Sequence, residues 1–183
     1  MYRRGVLLGL LATGLAACSA GVSRPVGPDG LPIGGAIRIT EADSAAVKFR
    51  LLDSVNSLRA ASGLAPVQLD ARLTAAAATH TRDMYIQNRP WLFGSDGSSP
   101  LDRARRVGFQ GRLLGEVISE SFETELQTLA AWMAQADTRA VIMDPDARYM
   151  GFAWYQEPSL KIWWTLNMGS AFDSFAPIEG LSF

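Results

Sequence analysis

The sequence is poor in residues that cross-link or bind metals: it has one cysteine and one histidine among 183 residues. A single cysteine, Cys18, excludes an intrachain disulfide, so the fold must depend on its hydrophobic core. A single histidine, His80, excludes a zinc site built on a histidine pair. The formal net charge is −1, which provides no basic field for nucleic acid. We therefore expect no nucleic-acid partner.

The first eighteen residues have the three parts of an export signal. Arg3 and Arg4 form a basic start, Val6 to Leu15 is apolar, and small residues precede Cys18. The apolar run is too short to cross a bilayer. The segment Leu-Ala-Ala-Cys that ends at Cys18 resembles a bacterial lipobox, which implies cleavage before the cysteine and its acylation, with palmitate among the expected chains. We expect residues 1–17 to be a lipoprotein signal peptide and Cys18 to carry a durable anchor.

Residues 18–39 contain this cysteine and a segment dense in Gly, Pro and Ser, which predicts a flexible tether. Residues 40–183 then suit one domain with one core. The anchor would place this domain in the bacterial cell envelope, facing the periplasm. Ser19, where some lipoproteins have aspartate, favours the outer over the inner membrane by resemblance to other lipoproteins of two-membrane bacteria.

Caps, breakers and periodicity predict helices followed by a small sheet. Helices and strands do not alternate as they do in a parallel nucleotide-binding sheet. The last two predicted strands form an antiparallel hairpin. The predicted helices run from Thr40 to Gly63, from Asp70 to about Asn88, from Ser99 to Gly108 and over residues 123–135; the predicted strands cover residues 113–119, 149–155 and 161–168.

Helical spacing also predicts which side chains are buried. His80 shares the apolar face of the second helix with Leu73, Ala77 and Met84, which predicts a packed core histidine and no metal ligand. In the first and fourth helices the predicted buried stripes are Val47, Leu51, Val55 and Leu58, and Leu126, Leu129, Ala130 and Met133, with Trp132 beside the second stripe.

Short motifs from roughly Val47 to Gly169 occur in an order that is specific when taken together. They are Val55-Asn56-Ser57-Leu58-Arg59, Gly63 to Asp70, Leu73 with Ala76, Ala77 and His80, Gly94 to Pro100, Arg103, Gly108-Phe109, Gly115-Glu116, Trp132, Arg139, Ile142 with Asp144-Pro145, and Met150-Gly151-Phe152. This series resembles the CAP superfamily (cysteine-rich secretory proteins, antigen 5 and pathogenesis-related proteins), especially its bacterial branch. The resemblance implies an α+β fold, a three-layer α-β-α sandwich around a small central antiparallel sheet.

The chain departs from the family pattern at the metal-binding cleft. Where such members of the family have two histidines, this sequence has Leu92 and Thr138, and a position that is acidic in some relatives is Gln135. Of the usual tetrad only Glu116 remains, and a lone carboxylate cannot supply the three or four ligands that zinc prefers. We therefore expect no metal and no cofactor. Glu116 is left as either a solvated or hydrogen-bonded strand residue or a ligand-binding carboxylate.

Three functions remain open. The first is a non-enzymatic, envelope-anchored module that binds a small ligand, lipid, glycan or envelope protein, with cleft contacts from Glu116, Leu92, Gln135, Thr138 and Trp91. The second is a hydrolase of peptide or cell-wall substrates that uses Glu116 as its base, although no acid–base mate for Glu116 is evident and serine catalysis needs an aligned base. The third is a scaffold that docks onto another envelope protein.

Overall fold

The computed structural model describes residues 38–120 and 124–171. The predicted signal peptide, the acylated Cys18 and nearly all of the predicted tether lie outside these residues. Within them, no helix has the length and apolar character needed to cross a membrane. The elements are a 3₁₀ turn (Glu41–Asp43), α1 (Ser44–Ala61), β1 (Gln68–Leu69), α2 (Ala71–Gln87), α3 (Pro100–Arg106), β2 (Leu113–Glu120), α4 (Glu125–Ala134), α5 (Ala136–Ile142), β3 (Ala147–Gln156) and β4 (Ile162–Ser170).

The helices begin and end at residues that the sequence marks. The Asp70 side chain accepts a hydrogen bond from the Leu73 backbone N–H at the start of α2. Ser99 and Asp102 form a capping box at the start of α3. Gly63 follows α1 with a φ of 70°, which satisfies the last carbonyls of the helix at no steric cost to the glycine.

The sheet has the strand order β1-β3-β4-β2. The short β1 pairs in parallel with β3, whereas β4 pairs antiparallel with both β3 and β2. The predicted hairpin is therefore confirmed as β3 and β4. Local sequence patterns do not predict β1 or α5. Gln135 has an extended backbone that separates α4 from α5, so the predicted fourth helix stops one residue earlier than expected.

Helices cover both faces of the sheet, which confirms the three-layer α-β-α sandwich. On one face, α1, α4 and α5 enclose the hydrophobic core. On the other face, α2 lies directly on β3, because a Cβ at Gly151 would overlap the backbone of Leu73 and Thr74. Two positions of the predicted buried stripes are wrong: Leu58 of α1 is 36% exposed and Ala130 of α4 is exposed, since both line a groove between α1 and α4.

Candidate functional site

Glu116 lies in β2, in register with Asn167 of β4, and its side chain is only 1% exposed. Its Oε1 accepts a hydrogen bond from Nη2 of Arg103 at 2.6 Å. The Nε2 atom of His80 is 3.5 Å from the same oxygen. His80 and Arg103 are themselves buried. The three side chains form a closed polar cluster between the sheet and helices α2 and α3, and not an open cleft.

The fold brings these residues together from three successive elements, α2, α3 and β2. The absence of a Cβ at Gly151 lets α2 approach the sheet, and His80 lies two turns beyond Leu73 on the face of α2 that meets the sheet. Arg103 comes from α3, whose start is set by Ser99 and Asp102. As a result, a histidine and a glutamate that are 36 positions apart in the sequence become neighbours.

Burial is the main cause of the pKa shifts of Glu116 and His80. Burial raises the pKa of Glu116 to about 7, although the Arg103 guanidinium and a hydrogen bond with Asn167 act in the opposite direction. Burial also lowers the pKa of His80 to about 4, and the charge of Arg103 adds to this lowering. His80 is therefore neutral at pH 7, and Glu116 changes charge near that pH.

Sequence reasoning finds no evident acid–base mate for Glu116 and does not foresee that His80 lies beside it, with Nε2 3.5 Å from Oε1 and no hydrogen bond between the two side chains. The expected burial of His80 is confirmed: it is 0% exposed. Periodicity could place each residue on a buried face, but it carries no signal that the two faces meet. Because neither side chain is accessible, this pair has no route to a substrate in solution in the conformation described.

The cluster does not fit a metal ion. The cation beside Glu116 is the guanidinium of Arg103, which occupies Oε1 at hydrogen-bonding distance. In the described part of the chain, no group of three or more histidine, cysteine, aspartate or glutamate side chains is arranged to hold one.

Arg103 also connects Glu116 to the loop between α2 and α3. Its Nη2 donates to the Leu92 carbonyl at 2.9 Å, and its Nη1 donates to the Ser98 carbonyl at 2.8 Å. Arg103 thus links the buried Glu116 to two points of this loop. Glu116 therefore contacts the surface loop through Arg103, which binds both the carboxylate and the Leu92 carbonyl.

The other predicted contact residues are divided between two places. The backbone of Leu92 reaches the cluster through Arg103, while the side chains of Leu92 and Trp91 are 40% and 45% exposed. Gln135 is an exposed residue at the α4–α5 junction. Thr138 donates a hydrogen bond from Oγ1 to the Trp132 carbonyl at that junction. Among the described residues, neither Gln135 nor Thr138 forms a hydrogen bond with Glu116.

A second concave site lies between α1 and α4, where a groove has a volume of about 480 Å³. Next to it, an ion pair between Arg50 and Glu125 joins the two helices at 2.7 Å. Helical periodicity assigns the groove's apolar residues to buried stripes and so misses the groove. No signal in the sequence could have found it, because an apolar side chain that lines a groove has the same helical spacing as one in the core. The lining consists of Leu58, Leu126, Leu129, Ala130 and Met133, with Asp53, Ser54 and Ser57.

Comparison with known proteins identifies relatives of this fold. The family model described as "Cysteine-rich secretory protein family" (CAP) matches residues 52–168. The uncharacterized protein YkwD of Bacillus subtilis (strain 168) is 26% identical over 124 residues, a match that covers 66% of this chain and 46% of YkwD. This chain thus spans about half the length of that curated relative.

Two solved structures share the fold at low sequence identity. An outer surface protein of Borrelia burgdorferi matches with a TM-score of 0.63 and 16% identity, over 75% of this chain and 98% of that one. An extracellular protein with an SCP domain from Bacillus anthracis matches with a TM-score of 0.64 and 18% identity, over 74% of this chain and 45% of that one.

Proposed function

The chain belongs to the cysteine-rich secretory protein (CAP) family, and we propose that it is an envelope-anchored, non-enzymatic module that binds an apolar, chain-like ligand between α1 and α4. The observation that carries this proposal is the groove of about 480 Å³, whose walls come mainly from leucine, alanine and methionine side chains. Its volume falls within the range typical of small-molecule sites. Such walls favour a fatty-acyl chain over a glycan, since a glycan requires many polar partners.

The closed Glu116 cluster supports a binding role over hydrolysis. A general base must come within hydrogen-bonding reach of the proton that it removes. The Glu116 side chain is 1% exposed and is paired with Arg103. The carboxylate that would be required for hydrolysis therefore serves to hold the fold around it.

Filling the groove is expected to weaken ligand binding. Ala130 lines the groove and is exposed, so Ala130→Trp would place an indole in the space that an acyl chain needs. The measurement is displacement of a dansyl-labelled fatty acid by palmitate, with the chain from residue 18 onward carrying Cys18→Ser. We expect the affinity to fall at least about tenfold, which corresponds to about 1.4 kcal/mol.

Ala46→Trp is the matched control, since Ala46 is an exposed residue of α1 that does not line the groove. Its affinity should stay within about twofold of wild type, and both variants should retain the wild-type melting temperature. Equal binding by wild type and Ala130→Trp would place the ligand elsewhere. No saturable binding by wild type would refute an acyl-chain ligand.

The proposed anchor has its own test, because Cys18→Ser removes the acylated atom. In a bacterium with lipoprotein processing, the wild-type chain should fractionate with the membrane, preferentially the outer membrane where there are two. The variant should leave that fraction or accumulate as an uncut precursor. This location is supported by the lipobox-like segment and by relatives whose names mark them as extracellular or surface proteins. Membrane retention of a fully processed variant would contradict acylation at Cys18.

A further inference from the structure

The loop between α2 and α3 exposes a cluster of large apolar side chains. Trp91, Leu92 and Phe93 are 45%, 40% and 45% exposed, within a run of six consecutive exposed residues, 88–93. The Trp91 and Phe93 rings meet edge to face, with their centroids 5.7 Å apart. The guanidinium of Arg89 lies 3.6 Å from the centre of the Trp91 ring. Adjacent large apolar groups in water mark an interaction surface more often than isolated ones do.

The backbone of this loop is held firmly although its side chains face solvent. Arg103 binds the Leu92 carbonyl, and the Gln87 side chain donates to the Phe93 carbonyl at 3.2 Å. Asp83 accepts hydrogen bonds from both the backbone N–H and the hydroxyl of Ser95, each at 2.6 Å. A loop that is ordered in advance loses little conformational entropy on binding, which favours docking.

The charges around the loop favour an anionic partner. Residues 82–106 contain five arginines and three aspartates, in a chain whose formal net charge is −1. The three aspartates already accept hydrogen bonds from Ser95, Arg106 and Ser99. In the described part of the chain, Arg82, Arg89 and Arg105 form no salt bridge with a carboxylate. These side chains are available to phosphate groups.

The first described residues of the chain, 38 and 39, lie near this loop, and the predicted anchor precedes them in the sequence. The Ile39 backbone N–H donates to Oε1 of Gln156 at 2.9 Å. Tyr85, near the end of α2, packs against Tyr155 with their ring centroids 4.4 Å apart. The chain therefore enters the domain at the end of the sheet where the exposed loop begins. Because twenty positions separate Cys18 from Arg38, an anchored chain would hold this end within about 70 Å of the bilayer.

We propose that the Trp91-Leu92-Phe93 loop docks on an anionic phospholipid surface and orients the domain on the membrane. The aromatic rings would lie at the headgroup level, where tryptophan is favoured, and the neighbouring arginines would face lipid phosphates. This inference rests on the proposed envelope location and is independent of the ligand groove. It also gives the buried Glu116 a role, since Glu116 fixes Arg103 and Arg103 fixes the loop.

Tryptophan quenching by acyl-brominated phospholipids tests the contact directly. The full chain, isolated from the membranes of the cells that produce it, is reconstituted into phosphatidylcholine vesicles with or without phosphatidylglycerol. Trp132, Trp163 and Trp164 are at most 2% exposed, and Trp154 is partly buried against the core. Trp91, which is 45% exposed, is therefore the expected reporter among the five tryptophans. We expect quenching to be at least about twofold stronger with phosphatidylglycerol and to disappear in Trp91→Phe.

Phe93→Ser retains the Trp91 reporter but removes a neighbouring anchor, and it should at least halve the quenching. Phe49→Ser is the matched control: Phe49 is 57% exposed on α1 and should leave the quenching unchanged. The melting temperature of both serine variants is measured as well, and it should equal that of wild type, so that a loss of quenching reports loss of docking and not unfolding.

Retention of the chain on the vesicles without quenching would overturn loop docking and leave the anchor intact. Release of the chain from the vesicles would overturn both. Quenching that persists in Trp91→Phe, or that is independent of anionic lipid, would also overturn the proposal. If the loop instead binds a protein, quenching would be absent and a photocrosslinker at position 93 would recover that protein from cells, which equally refutes lipid docking.

Discussion

Arg59→Leu is expected to lower the free energy of unfolding by about 3–5 kcal/mol, the range observed when a buried charged interaction is broken. Arg59 is 0% exposed, and its guanidinium donates four hydrogen bonds to backbone carbonyls. Leucine would remove the donor of the Ala65 and Ile142 carbonyls, and each unsatisfied buried group costs about 1–3 kcal/mol. The Asp144 and Ala147 carbonyls would keep a second donor, the Ala147 backbone N–H and the Arg148 side chain respectively. Leucine also removes the desolvation cost of burying the guanidinium cation, which offsets part of this loss. The four acceptors are the carbonyl oxygens of Ala65, Ile142, Asp144 and Ala147.

Urea denaturation measures this effect, with Arg72→Leu as the matched control. Arg72 is an exposed arginine of α2, so its replacement should change the free energy of unfolding by less than about 0.5 kcal/mol. Arg59→Lys should also destabilise the domain, because an ammonium group cannot reproduce the planar fork of the guanidinium. A loss below about 1 kcal/mol in Arg59→Leu would mean that water or relaxed backbone replaces these hydrogen bonds.

Arg59 belongs to the Asn-x-x-Arg motif that contributes to the family resemblance, and the structure shows why both residues are needed. The Asn56 side chain exchanges two hydrogen bonds with the backbone of Val67, at 2.8 and 2.9 Å. Asn56 and Arg59 thus attach α1 to the segment before β1, and Arg59 also attaches it to the segment before β3. The motif stabilises the fold and is separate from the candidate sites.

Local signals in the sequence predict most of the fold. Asp70 and Ser99 cap helices because their side-chain oxygens satisfy free backbone N–H groups, an effect that depends only on near neighbours. The β3–β4 hairpin likewise follows from two strand-like segments with a short connection between them. The short β1 depends instead on parallel pairing with β3, a contact about eighty positions away, so no local pattern predicts it.

The candidate site is less predictable because its geometry is tertiary. Helical periodicity shows that His80 is buried, but it cannot show that α2 crosses the sheet so that His80 meets Glu116. Periodicity also treats Leu58 as a core residue. The structure leaves it 36% exposed, because the space between α1 and α4 forms a groove. An apolar side chain beside such a groove has the same sequence signature as one in the core.

Glu116→Gln is expected to change how stability depends on pH. The pKa of Glu116 rises from 4.5 to about 7 on folding, mainly through burial, so the folded protein binds an additional proton between these pH values. Stability from this group is fully present below pH 4.5 and is lost as the pH rises towards 7. The free energy of unfolding of wild type should therefore fall by up to about 3 kcal/mol relative to that of Glu116→Gln across that interval, at about 1.36 kcal/mol per pH unit. The measurement is urea denaturation of both proteins from about pH 4 to about pH 8, which brackets the two pKa values.

The shift of His80 has the opposite sign: its pKa falls to about 4, so its contribution to stability is lost as the pH falls from 6.5 towards 4. Both proteins retain this histidine, so the part of its effect that does not depend on the charge of Glu116, 3.5 Å away, cancels in their difference. Glu120→Gln controls for the loss of a carboxylate from the same strand, at a side chain that is 33% exposed and paired with Lys161. If the difference between wild type and Glu116→Gln instead grew in favour of wild type as the pH rose, the attraction of Arg103 would outweigh burial. Glu116 would then be a fully charged partner of Arg103 at neutral pH.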